Sequence, residues 1–247
     1  NTDKVGTLAF TNDKPAAGGK DGDTIEELRE NSLRSFAEQK RAVTTNDYTV
    51  RALSLPAQFG SIAKTFVTNE MVINSNSGPL ERNPLALSMY TLAYNIDGHL
   101  IVATDTLKRN LKNYLGQYMM ITDAIDMKDA FIVNIGVKFE ILTLPNYGSR
   151  DVLLQCNNAL REHFDIKRWN INQPINLSSV YTLLDQVKGV QTVKNIKITN
   201  KVGGRYSEYG YDTAGATKDN IVYPSYDPCI FELKYPDTDI EGRVTTL

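Results

Sequence analysis

The sequence has few of the residues that usually carry catalytic or metal chemistry. Its 247 residues include two cysteines, two histidines and one tryptophan. Cys156 and Cys229 are too far apart in the chain to form a short-spaced metal pair, and they give no disulfide framework. This cysteine usage is typical of a reducing compartment such as the cytoplasm. We therefore predict no metal and no cofactor.

Long hydrophobic runs and a net charge are also missing. The longest apolar runs, such as residues 100–103, are far shorter than a membrane span. The chain has 27 basic and 29 acidic residues, so no overall charge attracts it to nucleic acid or to a membrane. It begins at Asn1 without an initiator Met or an apolar signal region, as expected of a fragment or a processed chain.

The usual sequence signatures of enzymes are absent as well. We find no G-x-S-x-G motif, no Walker-type phosphate loop and no G-x-G-x-x-G motif that opens a helix. Cys156 and His163 lie seven residues apart on one predicted helix, which is compatible with a Cys–His nucleophile. No third orienting group is evident, so a core cysteine and a histidine at the rim are favoured. We predict no catalytic residues.

The beginning of the chain contains two helix start signals. Thr24 and Thr44 are each followed, three residues later, by a carboxylate, which is the capping-box pattern. They predict helices over about residues 25–40 and 46–55, and the second helix stops before Pro56. A stretch rich in β-branched residues then predicts a strand over residues 62–73.

Hydrophobic periodicity predicts the other elements. Residues 131–143 give the cleanest strand, because apolar residues alternate with polar residues such as Asn134, Lys138 and Glu140. One face of this strand is expected to pack on a core, and the other to meet water or a partner. Either Thr104 or Asp105 is the predicted cap of the next helix, and Ser149 and either Ser178 or Ser179 are the predicted caps of two later helices. The remaining predicted elements are strands at 89–96 and 190–199 and helices at 104–118, 149–164 and 179–187.

This order of elements predicts an α+β fold in which helices pack on mixed β-sheets. We expect residues 1–23 to be a linker or a domain edge, followed by two small α+β modules. The predicted modules cover residues 24–128 and 129–203. Residues 204–247 are expected to form a partly extended C-terminal arm rich in Tyr and Gly, with a strand within 229–235.

The C-terminal arm contains the candidate interface. Tyrosine gives a large contact area at low entropic cost and is enriched at protein interfaces. A sugar-binding platform, which also uses aromatic rings, is the alternative. Deleting residues 206–247 is predicted to weaken self-association and to leave the α+β circular dichroism signal. The candidate subunit-interface residues are Tyr206, Tyr209, Tyr211, Tyr223 and Tyr226.

Charges are unevenly distributed near the C-terminus. Residues 188–205 contain five basic residues and no acidic one, whereas acidic residues dominate 206–247. The two stretches are candidates for pairing with each other or with neighbouring subunits. A nucleic-acid groove is the alternative, but the chain lacks the net positive charge that such a groove needs.

Several short runs occur in a specific order. Residues 30–36 read ENSLRSF, residues 39–48 read QKRAVTTNDY, and residues 187–193 read VKGVQTV. Between them come an amphipathic helix followed by Ile121-Thr122-Asp123, a long alternating strand and a second amphipathic helix. This joint order, over about residues 24–200, resembles the Baseplate J-like family of contractile-tailed phages.

The resemblance implies a structural subunit of the virion tail baseplate, assembled in the host cytoplasm, and not an enzyme. Its implied partners are copies of itself and other baseplate wedge proteins, with no nucleic acid, membrane or small-molecule substrate. It also implies that contacts between modules rearrange when the virion attaches and the sheath contracts. A glycan- or host-receptor-binding module of a virion is the alternative.

Overall fold

The computed structural model describes residues 25, 29, 41–72, 81–121 and 123–245. Ile25 and Arg29 are helical. Several sequence predictions fall outside these residues: the linker at 1–23, the capping box at Thr24 and the rest of the helix at 25–40. The run at residues 30–36 also lies outside them.

The first sheet is built from four strands with two helices on one face. Strands β1 and β2 are antiparallel, and the far edge of β2 pairs with β3 (antiparallel) and β4 (parallel). The elements are α1 (Thr45–Leu53), β1 (Lys64–Val72), β2 (Glu81–Tyr94), β3 (Leu100–Val102), α2 (Asp105–Leu115) and β4 (Ala124–Asp129).

Alternation along β2 lets the first sheet contribute to two hydrophobic cores. Leu87, Met89 and Ala93 point to the core formed with α1 and α2. Leu92 and Tyr94 point the other way, into a second and larger core. The first sheet is therefore covered on both faces, by its own helices and by the rest of the protein.

The second sheet is organised around one long strand. β5 (Phe131–Thr143) pairs with the antiparallel β7 along one edge, and with the parallel β10 and β11 along the other. β6, β9 and β8 form a small sheet beside it. The elements after β5 are α3 (Ser149–His163), β6 (Ile175–Asn176), α4 (Leu177–Asp185), β7 (Val190–Asn200), β8 (Thr217–Lys218), β9 (Ile221–Val222), β10 (Cys229–Glu232), α5 (Pro236–Asp239) and β11 (Ile240–Val244).

The α+β class is confirmed, and so are several local predictions. The Thr44 capping box forms: its hydroxyl accepts from the Asp47 N–H, while the Asp47 carboxylate accepts from the Thr44 N–H at 2.8 Å. Thr104 caps α2. The strand predicted over residues 131–143 has those bounds.

Two predicted helix caps are wrong. α3 is preceded by Gly148, with no side-chain cap, and Asp151 in its first turn supplies the negative charge that suits a helix N-terminus. α4 begins earlier than predicted because Asn176, which ends β6, accepts a hydrogen bond from the Ser178 N–H at 3.0 Å.

Some strands were missed or given the wrong length. β2 starts at Glu81, well before the predicted residue 89, and α2 ends at Leu115 rather than near 118. β4 was missed because its six residues include three carboxylates or ammonium groups and only a short apolar alternation at Ile125 and Met127.

The end of the chain contributes directly to the second sheet. Cys229–Glu232, within the stretch predicted as a strand, forms β10, and all four of its residues are buried. After α5, the strand β11 continues along the same edge of β5. The division into two modules and an arm stays a prediction.

Candidate interaction surface

Aromatic side chains lie at the surface in the segment over residues 201–228, which includes β8 and β9, and at the start of β5. The ring of Tyr209 stacks on the ring of Phe131, with 4.4 Å between the ring centroids. The hydroxyl of Tyr211 donates to the backbone carbonyl of Tyr223 at 2.6 Å. Tyr226 lies in the segment that leads into β10, two residues before Pro228, whose carbonyl accepts from the Phe131 N–H. We call Phe131, Tyr209, Tyr211, Tyr223 and Tyr226 the aromatic patch.

The members of the aromatic patch differ in exposure. Tyr223 is 45% exposed and Tyr226 is fully exposed. Tyr209 and Tyr211 are half-buried, and burial raises the pKa of the Tyr211 hydroxyl, with Cys229, Tyr209 and Asp212 adding in the same direction. The patch therefore has an anchored part against the second sheet and an outward part formed by Tyr223 and Tyr226.

Side-chain hydrogen bonds hold the part of this segment that carries Tyr209 and Tyr211. The carboxamide oxygen of Asn134 accepts from the Ser207 N–H at 2.6 Å, and that of Asn200 accepts from the Tyr211 N–H at 3.2 Å. The buried hydroxyl of Thr213 donates to the Ile198 carbonyl at 3.0 Å. A surface fixed in this way loses less conformational entropy when it binds a partner.

Tyr206 belongs to a different cluster. Its hydroxyl donates to the buried carboxylate of Asp239 at 2.5 Å, and its ring meets Tyr235 edge-on. The guanidinium of Arg205 lies over the Tyr235 ring, 4.3 Å from its centroid. Tyr206 thus ties the loop to α5. Among the five predicted tyrosines, Tyr211 contacts the backbone of Tyr223 and Tyr209 stacks on Phe131. Tyr226 is fully exposed in the segment before β10, and Tyr206 contacts a different set of residues.

Phe131 is the patch residue that the sequence prediction missed. As the first apolar residue of the alternating strand it is expected to face the core, yet it is 39% exposed. The first residue of a strand often lies at the edge of the core, so its exposure could have been expected from the sequence. Its stacking against Tyr209 could not, because the two residues are far apart in the chain.

The two charged stretches pair with each other only in part. Glu241 is bonded to Lys138 at 2.7 Å and to Lys201 at 3.5 Å, and the Lys138 hydrogen bond lowers the pKa of Glu241. The segment that carries the aromatic patch remains acidic on its surface. Residues 206–228 contain four carboxylates against one basic residue, Lys218.

The catalytic alternative finds no support in the geometry. Cys156 is completely buried, and burial raises the pKa of its thiol to about 11, which disfavours the reactive thiolate. His163 packs edge-on against Phe164 and Trp169, and burial lowers the pKa of its imidazole. Both residues have the packing expected of a core cysteine and a histidine at the rim of the core.

The described part of the chain holds no group of three His, Cys, Asp or Glu side chains placed to bind a metal. None of the helices within it has the length and apolar character to cross a membrane. A shallow concavity of about 380 Å³ opens on the outer face of the second sheet. It is lined by Lys138, Phe139, Glu140, Asn195, Lys197, Glu241, Gly242 and Arg243.

A buried lysine links the first sheet to the connection between α3 and β6. The ammonium group of Lys64 in β1 donates to the backbone carbonyl of Lys167 at 2.9 Å. Lys167 lies between α3 and β6. Burial lowers the pKa of Lys64 to about 8, while Asp165 raises it in part. The charged form of Lys64 is thus disfavoured in the folded protein relative to the unfolded chain.

This lysine predicts a pH dependence of stability. Between pH 8 and the unfolded value of 10.5, the unfolded chain binds more protons at Lys64 than the folded protein does. The free energy of unfolding of the native protein, minus that of the Lys64→Met variant, should therefore rise as the pH increases through this window. Urea unfolding of both proteins at about pH 7 and pH 9.5 measures the difference. A difference that stays constant or falls would contradict the prediction.

Searches among protein families and among curated proteins found no match. Among solved structures, the chain is similar to one in a cryo-EM structure of the anti-feeding prophage (AFP) baseplate, 6-fold symmetrised. The sequence identity is 14% and the TM-score is 0.48. The likeness covers 85% of this chain and 42% of that one, so this chain spans less than half of its length. Identity and TM-score are both too low for the likeness to assign a family or a function.

Proposed function

We propose that this protein is a structural, non-enzymatic subunit of the tail baseplate of a contractile-tailed phage or a related particle. Within the Baseplate J-like family, its motif order resembles the C-terminal part of the large baseplate wedge protein of T-even phages. It would act in the virion, in contact with copies of itself and with other wedge proteins.

The aromatic patch is the observation on which this proposal depends. Tyr223 and Tyr226 project from the connection between β9 and β10, which the Tyr211 hydroxyl bonds at the Tyr223 carbonyl. Exposed tyrosines on a fixed backbone are typical of protein interfaces. The candidate nucleophile Cys156 is buried and its thiol has a raised pKa, which favours a structural role over a catalytic one.

A baseplate subunit must also change its contacts when the sheath contracts. In our proposal the aromatic patch binds a neighbouring subunit. The contact between the first and second sheets, which we call the joint, rearranges when the subunit contacts change. Packed interfaces switch between discrete arrangements and do not deform continuously, so two arrangements of the same elements are enough.

Removing the exposed tyrosines should weaken assembly. We expect the double variant Tyr223→Ala, Tyr226→Ala to raise the dissociation constant for self-association or for a wedge partner by at least about tenfold, because interface tyrosines often contribute more than 1 kcal/mol each. Sedimentation velocity, on the chain alone and mixed with other baseplate proteins, measures the association.

The matched control for this experiment is Tyr147→Ala. Tyr147 is 48% exposed, close to the value for Tyr223, but it lies between β5 and α3, away from the patch. Association should be unchanged in this variant. Equal association of all three proteins, or a chain that stays monomeric with every tail protein, would rule out the patch as the subunit contact.

The second candidate is a glycan- or receptor-binding module, which the same exposed aromatic rings favour. Sugars stack on such rings, so an oligosaccharide ligand would raise the unfolding temperature of the native protein and not that of the double variant. If oligosaccharides cause no thermal shift and the patch is still needed for association, the structural role is favoured.

A further inference from the structure

The two sheets meet along a largely apolar contact that contains one buried carboxylate. Leu92 and Leu100, from the hairpin of β2 and β3, are buried in the larger core with the side chains of the second sheet. At the end of β10, Glu232 is 2% exposed. One of its oxygens accepts from the Leu100 N–H at 2.8 Å, and the other accepts from the Asn134 side chain at 2.7 Å.

These two hydrogen bonds require an acceptor at each oxygen of residue 232. An ionised carboxylate provides both acceptors, whereas a glutamine would place a donor against one of the two partners. Asn134 is not free to turn its oxygen toward such a donor, because that oxygen already accepts from the Ser207 N–H at 2.6 Å. The chemistry of the contact therefore specifies glutamate.

The ionised carboxylate is held at an energetic cost. Burial raises the pKa of Glu232, and the Leu100 N–H and the Asn134 amide oppose that shift. The charged groups that act on it are Lys234, just after β10, and His99, on the hairpin, and both favour the ionised form. If the hairpin moves away, water solvates the carboxylate and offsets part of the lost hydrogen bonding.

We propose that Glu232 is a latch that holds the β2–β3 hairpin against the second sheet and sets how readily the two sheets separate. When a purely apolar contact opens, it loses all the free energy gained from burying its surface. When this contact opens, the hydration of the Glu232 carboxylate offsets part of that loss, so opening costs less. The latch would regulate the rearrangement of the proposed baseplate subunit and in that sense rests on the proposed function, but it can be tested on the isolated chain.

Amide hydrogen exchange of Leu100 tests the latch directly. In Glu232→Ala we expect the Leu100 amide to exchange at least about tenfold faster, with unchanged exchange in the β1–β2 ladder, because local opening leaves distant hydrogen bonds intact. Glu232→Gln keeps the size of the side chain and one acceptor, so its effect on Leu100 should be smaller and in the same direction.

Distances between spin labels test whether the joint itself opens. Arg109 on α2 and Glu162 on α3 are exposed positions on the two sides of the joint, and both native cysteines are buried. With labels at R109C and E162C, the native protein should give one narrow distance distribution. Glu232→Ala should add a second, longer distance.

Three outcomes would overturn the latch. They are unchanged Leu100 exchange in both variants, unchanged label distances, and equal loss of protection throughout the chain in both variants, which would indicate a purely structural role. The experiments distinguish a failure of the latch from a failure of the proposed baseplate function. A chain that shows these effects but binds no tail protein would keep the latch and lose the proposed function.

Discussion

Replacing Phe231 with alanine is expected to destabilise the protein by about 3–5 kcal/mol, the range for removing a buried aromatic side chain from a core. Phe231 is 2% exposed in β10, and its ring lies 5.8 Å from that of Tyr211. Its strand pairs in parallel with the start of β5, and its side chain is part of the larger core, so the loss weakens the packing of the second sheet. Urea unfolding followed by circular dichroism measures the change.

Tyr226→Ala is the control for this prediction. It removes an aromatic side chain of similar size from the same part of the chain, but this side chain is fully exposed. Its effect should stay within about 0.5 kcal/mol. A loss below about 1 kcal/mol for Phe231→Ala would mean that β10 contributes little to the core.

The same reasoning revises the deletion experiment that the sequence favours. Removing residues 206–247 would take away the aromatic patch, but also β10 and β11, which pair with β5 along one whole edge. We therefore expect the deletion to unfold the second sheet, contrary to the prediction that secondary structure is retained. Point substitutions in the patch are the proper test of association.

Gly189→Ala is expected to cost about 2–5 kcal/mol, from two separate causes. Gly189 lies between α4 and β7 with φ of +94°, where a residue with a Cβ is strained. An added Cβ would also lie 2.7 Å from a methyl of Val152 and 2.8 Å from the Tyr147 ring. Val152 is buried in the core, so its side chain cannot move away from the added methyl group without displacing its neighbours.

Two other glycines separate these causes. Gly203 has φ of +81° with no atom near an added Cβ, so Gly203→Ala should show the strain alone, about 1–2 kcal/mol. Gly210 has neither the positive φ nor a close neighbour, and its alanine variant should be nearly neutral. Thermal or urea unfolding of the three variants orders them. Equal effects at Gly189 and Gly203 would show that crowding contributes nothing.

Features set by neighbours in the chain were predictable from the sequence. The Thr44 capping box forms because Thr44 and Asp47 are three residues apart, and no distant residue is needed. β5 was predicted with its bounds because alternation over thirteen residues is a strong local signal. The cap of α4 was missed because it depends on where β6 ends, and β6 exists only through its pairing with β9.

The sequence by itself determined the α+β class, the Thr44 capping box, the central strand and the tyrosine-rich segment, because each is encoded by residue spacing. Only the tertiary structure decided that β10 and β11 pair with the same edge of β5, that Phe131 stacks on Tyr209, and that Glu232 accepts from the Leu100 N–H 132 residues away. Periodicity reports that a residue is buried but not against which partner. A parallel pair or a buried hydrogen bond between distant residues forms only when the whole chain packs.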